Sequence, residues 1–117
     1  DILDGDPISQ ELQDQLIHLY FTWEQPFNQG VDERMFRQSL ENNGKWCSPL
    51  LLNCILCIGS RHSDRVEVRT DPQDSNTAGR MFLEKADVLL HVDLKSPNLT
   101  TIQSVMILSV AYCVGQS

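Results

Sequence analysis

The chain has 117 residues, the size of a single domain. Its 41% hydrophobic and 21% charged residues describe a globular chain rather than a disordered one. Sixteen acidic residues against nine basic ones give a formal net charge of −7, the wrong sign for a surface that grips the phosphates of DNA.

The N-terminal Asp1-Ile-Leu-Asp-Gly-Asp6 is acidic and lacks an initiator Met, as expected of a piece of something longer. No positively charged apolar leader marks it for secretion. From about Ser9 to Glu24 the apolar positions Leu12, Leu16, Leu19, Tyr20 and Trp23 form one stripe at helical spacing. Gln10, Gln13, Asp14 and His18 take the wet side, and Pro26 ends the helix. After the loop Pro26 to Gly30, Asp32 caps a second helix over about 32–43 that turns Met35, Phe36 and Leu40 inward. Asn42-Asn-Gly-Lys45 is a turn.

Ser48 then offers a cap and Pro49 a preorganised first helical position. Residues 50–58 are apolar except for Asn53, so the helix over about 49–60, with Gly59-Ser60 as its stop, has no face to turn toward water. A helix apolar all round is buried or membrane-inserted, and nine residues are far short of the roughly 20 that span a bilayer. This helix is the expected centre of a helical core.

Residues 61–77 alternate in charge and carry Pro72, Ser75 and Asn76, which predicts a solvated loop. A fourth helix over about 78–94 buries Ala78, Phe82, Ala86 and Leu89, with Arg80/Glu84 and Asp87/His91 as i,i+4 pairs outside. Ser96-Pro97-Asn98 is a turn. Thr100 with Gln103 has capping-box spacing and opens a fifth helix over about 101–114. That helix is apolar on nearly every side, which a domain of this size has difficulty covering; its partners are expected beyond Ser117. The fold class is all-α: five helices forming the N-terminal portion of a larger helical domain.

Leu16-Ile-His-Leu-Tyr-Phe-Thr-Trp23, then Ser48-Pro-Leu-Leu-Leu leading to Gly59-Ser-Arg-His-Ser63, then Leu99-Thr-Thr-Ile-Gln103 occur in this order. In order and spacing the chain resembles the fungal-specific transcription factor domain, the regulatory middle region of zinc binuclear cluster activators, over about residues 12–115 of residues 1–117. The resemblance implies a nuclear, non-enzymatic regulatory domain of a factor that controls RNA polymerase II transcription. DNA binding and zinc would belong to an upstream six-cysteine module absent here. The expected partners are the remainder of the parent helical domain and a small-molecule effector or coregulator, with no membrane contact. The rivals are a helical adaptor that takes a partner helix in an apolar groove and a helical enzyme fragment, which would need an acid–base pair in a cleft.

Cys54-Ile-Leu-Cys57 has CxxC spacing, but zinc needs two further ligands and Cys47 and Cys113 lack a paired spacing. Inside an apolar helix such cysteines act as small hydrophobes, so no cofactor or metal is expected in this chain. His18 and His91 fall on wet faces, and His62 is suited to the C-terminal end of the central helix. No nucleophile motif or phosphate loop is present, so no catalytic residue is assigned. Asn98-Leu-Thr100 matches the glycosylation sequon, but Thr100 is better read as a cap. Trp23, Phe27, Phe36 and Trp46 are expected to fill the core, with an effector pocket between helices as the alternative reading.

The densest basic run, Arg61 to Arg69, holds three Arg but also Asp64 and Glu67. We therefore expect no salt-sensitive binding when this chain is titrated against duplex DNA at low salt in an anisotropy assay. Binding at micromolar protein would contradict the charge argument.

Overall fold

The computed structural model describes residues 9–24 and 30–115, the side chains of Ser75 and residues 113–115 excepted. Within them are five α-helices: α1 (Gln10–Trp23), α2 (Glu33–Asn42), α3 (Pro49–Arg61), α4 (Arg80–Asp93) and α5 (Leu99–Gly115). The described residues form no strand, only an isolated antiparallel bridge between Arg69 and Ala78.

Three helices start on a side-chain cap, at Asp32 and Ser48 as the sequence predicts and at Ser9 besides. Ser9, Asp32 and Ser48 each accept the backbone N–H three residues on, with Pro49 in the first turn of α3. The chain leaves α2 through Asn43, which takes the left-handed conformation (φ 55°). At α5 the cap differs from the expectation. Asn98, not Thr100, accepts the N–H of Thr101, and the Thr101 hydroxyl accepts the N–H of Asn98. The reciprocal box is therefore shifted two residues upstream, and α5 begins at Leu99. Gln103, freed from capping, donates instead to the Gly30 carbonyl at 2.9 Å.

The central helix is where the sequence puts it. From Leu50 to Ser60 every α3 residue except the half-buried Leu52 is buried, and α3 packs against α1, α4 and α5. Asn53 does not spoil this, because its amide donates to the Pro49 carbonyl one turn back. Gly59 does not stop the helix, which continues to Arg61. Its role is contact: a Cβ there would sit 2.2 Å from the Leu16 carbonyl, so only glycine lets α1 lie this close. Gly79, at φ 82°, does the same between the start of α4 and the Cys57 carbonyl, where a Cβ would come within 2.5 Å.

Two other faces are rotated from the expectation. On α1 the buried set is Leu12, Leu16, Ile17, Tyr20 and Phe21, while Trp23 is 56% exposed. Phe21 meets Tyr20 edge-on and leans on Phe36, with the Arg37 guanidinium over its ring. On α2, Phe36 and Ser39 are buried and Met35 is exposed. On α4 the inward Ala78, Phe82 and Ala86 are buried as expected, but the outer pairs are not ion pairs. His91 Nδ1 lies 2.8 Å from the Asp87 backbone carbonyl, and no Arg80–Glu84 bridge occurs among the described residues.

The segment 61–77 is a correction of larger size. Instead of a solvated loop, it makes two 3₁₀ turns, Val66–Val68 and Ser75–Thr77, and drives Val68 fully into the core. The Val68 carbonyl accepts the Gly79 N–H. The Thr77 hydroxyl accepts from Asp71 N–H and donates to the Asp74 carbonyl, closing the second turn. Outside, Arg65 ties the segment to α1 through Glu11 at 2.9 Å and pairs with Glu67 at 2.7 Å.

Helix propensity alone makes Gly59→Ala stabilising by about 0.5–1 kcal/mol. The contact with the Leu16 carbonyl reverses the sign. Gly59→Ala should lower the unfolding free energy by about 1–3 kcal/mol in a urea titration, the range of an overpacked core.

Candidate functional site

Helix α5 carries no charged residue and divides sharply into two faces. Inward, against α3, are Thr100, Thr101, Ser104, Ile107, Leu108 and Ala111, all at most 3% exposed. The polar members are satisfied: Ser104 donates to the Thr100 carbonyl at 2.6 Å, and Thr101 reaches Asp93 and Asn98. Their small size lets the helix approach α3 closely enough for Cys54 Sγ to reach the Ser104 carbonyl at 3.8 Å. Outward are Leu99, Ile102, Met106 and Val110, each 40–59% exposed, with Val105 and Tyr112 beside them. The spacing of three, four and four residues aligns the first four along one line of the helix. Sequence reading took the helix over about 101–114 as apolar on nearly every side; Leu99 was missed because the helix start was placed two residues late.

At the N-terminal end of this line lies an open cleft of about 540 Å³ walled by Val31, Asp32, Met35, Trp46, Leu99 and Gln103. Gln103 Oε1 is buried there without a hydrogen-bond partner. Of the four aromatics considered for an effector pocket, Trp46 alone lines this cleft, half-buried, with the Lys45 ammonium 4.9 Å from its ring centre. Phe36 is in the core. Trp23 lies elsewhere, stacked on His62, whose Nε2 is 2.9 Å from Glu24 Oε2. Phe27 lies outside the described residues. Trp23, Phe36 and Trp46 therefore do not share one pocket. His62 is the C-cap of α3, as its position suggested, and its ring also ties that end to the end of α1.

Cys54 and Cys57 are free and buried among the α3 contacts, whereas Cys47 is half-buried; the side chain of Cys113 is outside the described set. Burial pushes the Cys54 thiol up to about 12, helped by neighbouring Cys57 and opposed by the Ser104 hydrogen bond. Burial also pushes Cys57 up to about 11, against the lowering effect of Arg61. These are the properties of packing groups. Among the described residues no three His, Cys, Asp or Glu side chains group so as to hold a metal ion, and no helix is long and apolar enough to cross a membrane.

The family model for the fungal specific transcription factor domain matches residues 17–115, which takes in the second half of α1 and all of α2, α3, α4 and α5. The chain belongs to this family. It is 31% identical over 105 residues to the nitrogen assimilation transcription factor nirA of Emericella nidulans, covering 86% of this chain and 12% of that protein. It is 27% identical over 105 residues to the nitrogen assimilation transcription factor nit-4 of Neurospora crassa, covering 81% and 10%. A third relative, the notoamide biosynthesis transcriptional activator notL' of Aspergillus versicolor, is 33% identical over 101 residues, covering 83% and 15%. The chain thus spans between a tenth and a sixth of the length of these relatives. No solved structure matches it.

The buried thiols set a pH dependence for the domain. Cys54 and Cys57 rise from 9.0 to about 12 and about 11 on folding, so above pH 9 the unfolded chain sheds protons that the folded chain keeps. Their contribution to stability is complete below the unfolded value of 9.0 and is lost as pH rises through the folded values. Tyr20, pushed up to about 12 from 10.0 chiefly by burial, acts in the same sense. Denaturation midpoints should fall between about pH 9 and 11, and Cys54→Ala should flatten that fall. Iodoacetamide at about pH 8 should leave both thiols unlabelled until the protein unfolds, as mass spectrometry of peptides would read.

Proposed function

We propose that this domain is a non-enzymatic regulatory module of a nuclear DNA-binding factor that controls RNA polymerase II transcription. DNA and zinc binding are supplied by a separate upstream six-cysteine module. The family match supports the class of role, and three relatives are named as transcription factors or activators. The net charge of −7 supports the division of labour, because repulsion from phosphates suits a domain that modulates rather than holds DNA.

The observation that carries the mechanism is the outer line of α5. Four large apolar side chains stand half in water on a helix without a single charge to solvate them. Such contiguous faces mark interaction surfaces. In this reading Leu99, Ile102, Met106 and Val110 dock onto the remainder of the parent's helical domain, and regulation consists of stabilising or releasing that contact. A small-molecule effector or coregulator would act from the adjoining cleft beside Trp46. The spacing of the four side chains also favours a second reading, an adaptor surface that accepts the apolar stripe of a separate partner helix.

Ile102 and Met106 are exposed, so Ile102→Gln with Met106→Gln should preserve the melting temperature of the isolated chain. In the full-length factor the same pair should shift a promoter reporter several-fold from its normal inducible range while DNA affinity stays unchanged. An unaltered reporter would remove the α5 face from the mechanism. A partner lost in pull-down, with domain stability intact in the full-length factor, would favour the adaptor.

A further inference from the structure

Helix α4 starts differently from α1, α2 and α3. Its N-cap is Gly79, and no side chain accepts from its first-turn amides. The Phe82 N–H donates to the Gly79 carbonyl, which leaves the amides of Arg80 and Met81 and the positive end of the helix dipole open to an anion. Beside this end is a cavity of about 160 Å³ whose walls include Arg61, Asn76, Arg80 and Tyr112. Arg61, in the last turn of α3, has its Nη1 buried without a hydrogen-bond partner. A buried guanidinium N–H without an acceptor is costly, and a charged acceptor is the natural remedy. Arg80, the first residue of α4, forms no ion pair among the described residues, not even with Glu84 one turn away. Asp87, which is engaged with the Tyr112 hydroxyl, does not line the cavity. Two arginines, a side-chain amide and an uncapped helix start thus surround one space, with no carboxylate in its wall.

We propose that this cavity binds a small oxyanion, the carboxylate or phosphate group of a low-molecular-weight ligand. Arg61, half-buried with its Nη1 unpartnered, offers its guanidinium from the end of α3, and planar bidentate recognition of such groups is what guanidinium does best. Arg80 closes over the anion from the other side, and Asn76 supplies a neutral donor. The space has room for several waters or one such group. A bound anion would link the end of α3 to the start of α4 through charge-assisted bonds, and so would fix the junction that Gly79 leaves without a cap. The net charge of −7 is no obstacle, because it repels an extended polyanion over a surface, whereas this site is a local pair of cations. The site is separate from the α5 docking line, and its test reads binding alone.

The test is an NMR titration of the protein with sodium phosphate and, separately, sodium acetate, both at constant ionic strength set by sodium chloride. The Arg61 side-chain N–H and the backbone amides of Arg80 and Met81 should shift together and saturate. Saturation with phosphate alone identifies a phosphate-type ligand, and saturation with acetate alone or with both identifies a carboxylate-compatible one; either result supports the site. Arg80→Gln, at an exposed position, should weaken binding at least tenfold with an unchanged melting temperature, as should Arg61→Gln if it folds. Arg34→Gln on the distant α2 surface should change nothing. Shifts that never saturate, or that Arg80→Gln leaves intact, would overturn the proposal, and Arg80→Gln decides the matter alone if Arg61→Gln does not fold.

Discussion

The structure depends on a helix that has no side suited to water. Once Leu50 to Ile58 form α3, every face of it must be covered, and the remaining elements are arranged by that demand. Covering one helix from several sides requires backbones to come close, which large side chains at every contact would prevent. The chain meets this with small residues at the contacts: Gly59 beneath Leu16, Gly79 beneath Cys57, and Thr100, Ser104 and Ala111 on α5. The thiols Cys54 and Cys57 belong to the same solution, being compact and apolar enough to sit between helices.

The elements with strong local signals were legible in the sequence. Ser48-Pro49 and the run to Ile58 marked the core helix, the cap at Asp32 marked the start of α2, and the apolar stripe from Leu12 marked α1. The misses share a physical cause: a choice between near-equal neighbours that only packing decides. On α1, Trp23 and the pair Ile17/Phe21 flank the same stripe of Leu12, Leu16 and Tyr20. Tertiary contact with Phe36 rotated the helix toward Phe21, and Trp23 was left to stack on His62. At α5, Asn98 and Thr100 were both competent caps. Asn98 prevailed because Thr101 could return its hydrogen bond.

Val68 shows a different kind of illegibility. One buried side chain within a run of alternating charges has no periodicity to reveal it. Its burial goes with a carbonyl-to-Gly79 hydrogen bond and a 3₁₀ turn, the first of them made at the start of the helix that follows at Arg80. The anion cavity was hidden for the same reason. Arg61 and Arg80 are far apart in the chain and meet only because the 61–77 segment folds back instead of extending into solvent. The aromatic pocket was overread in the opposite direction: residues of one chemical class were grouped by type, and the fold distributed them by geometry.

The orientation of α5 then follows from the demand made by α3. A helix apolar on nearly all sides could have turned Leu99, Ile102, Met106 and Val110 inward. It turns in its hydroxyl-bearing residues instead, because Thr and Ser are small enough to meet α3 and can return their hydroxyls to the helix's own carbonyls. Fully burying side chains of the Val, Leu, Ile or Met type is worth about 1.5–3 kcal/mol each. The four here are roughly half exposed, so covering them would contribute on the order of 3–6 kcal/mol. That is comparable with the whole net stability of a typical domain, about 5–15 kcal/mol. A contact of that size would govern whether the domain is marginal or firm. The same tight packing that makes the core possible therefore leaves outside the apolar line that the proposed docking would cover.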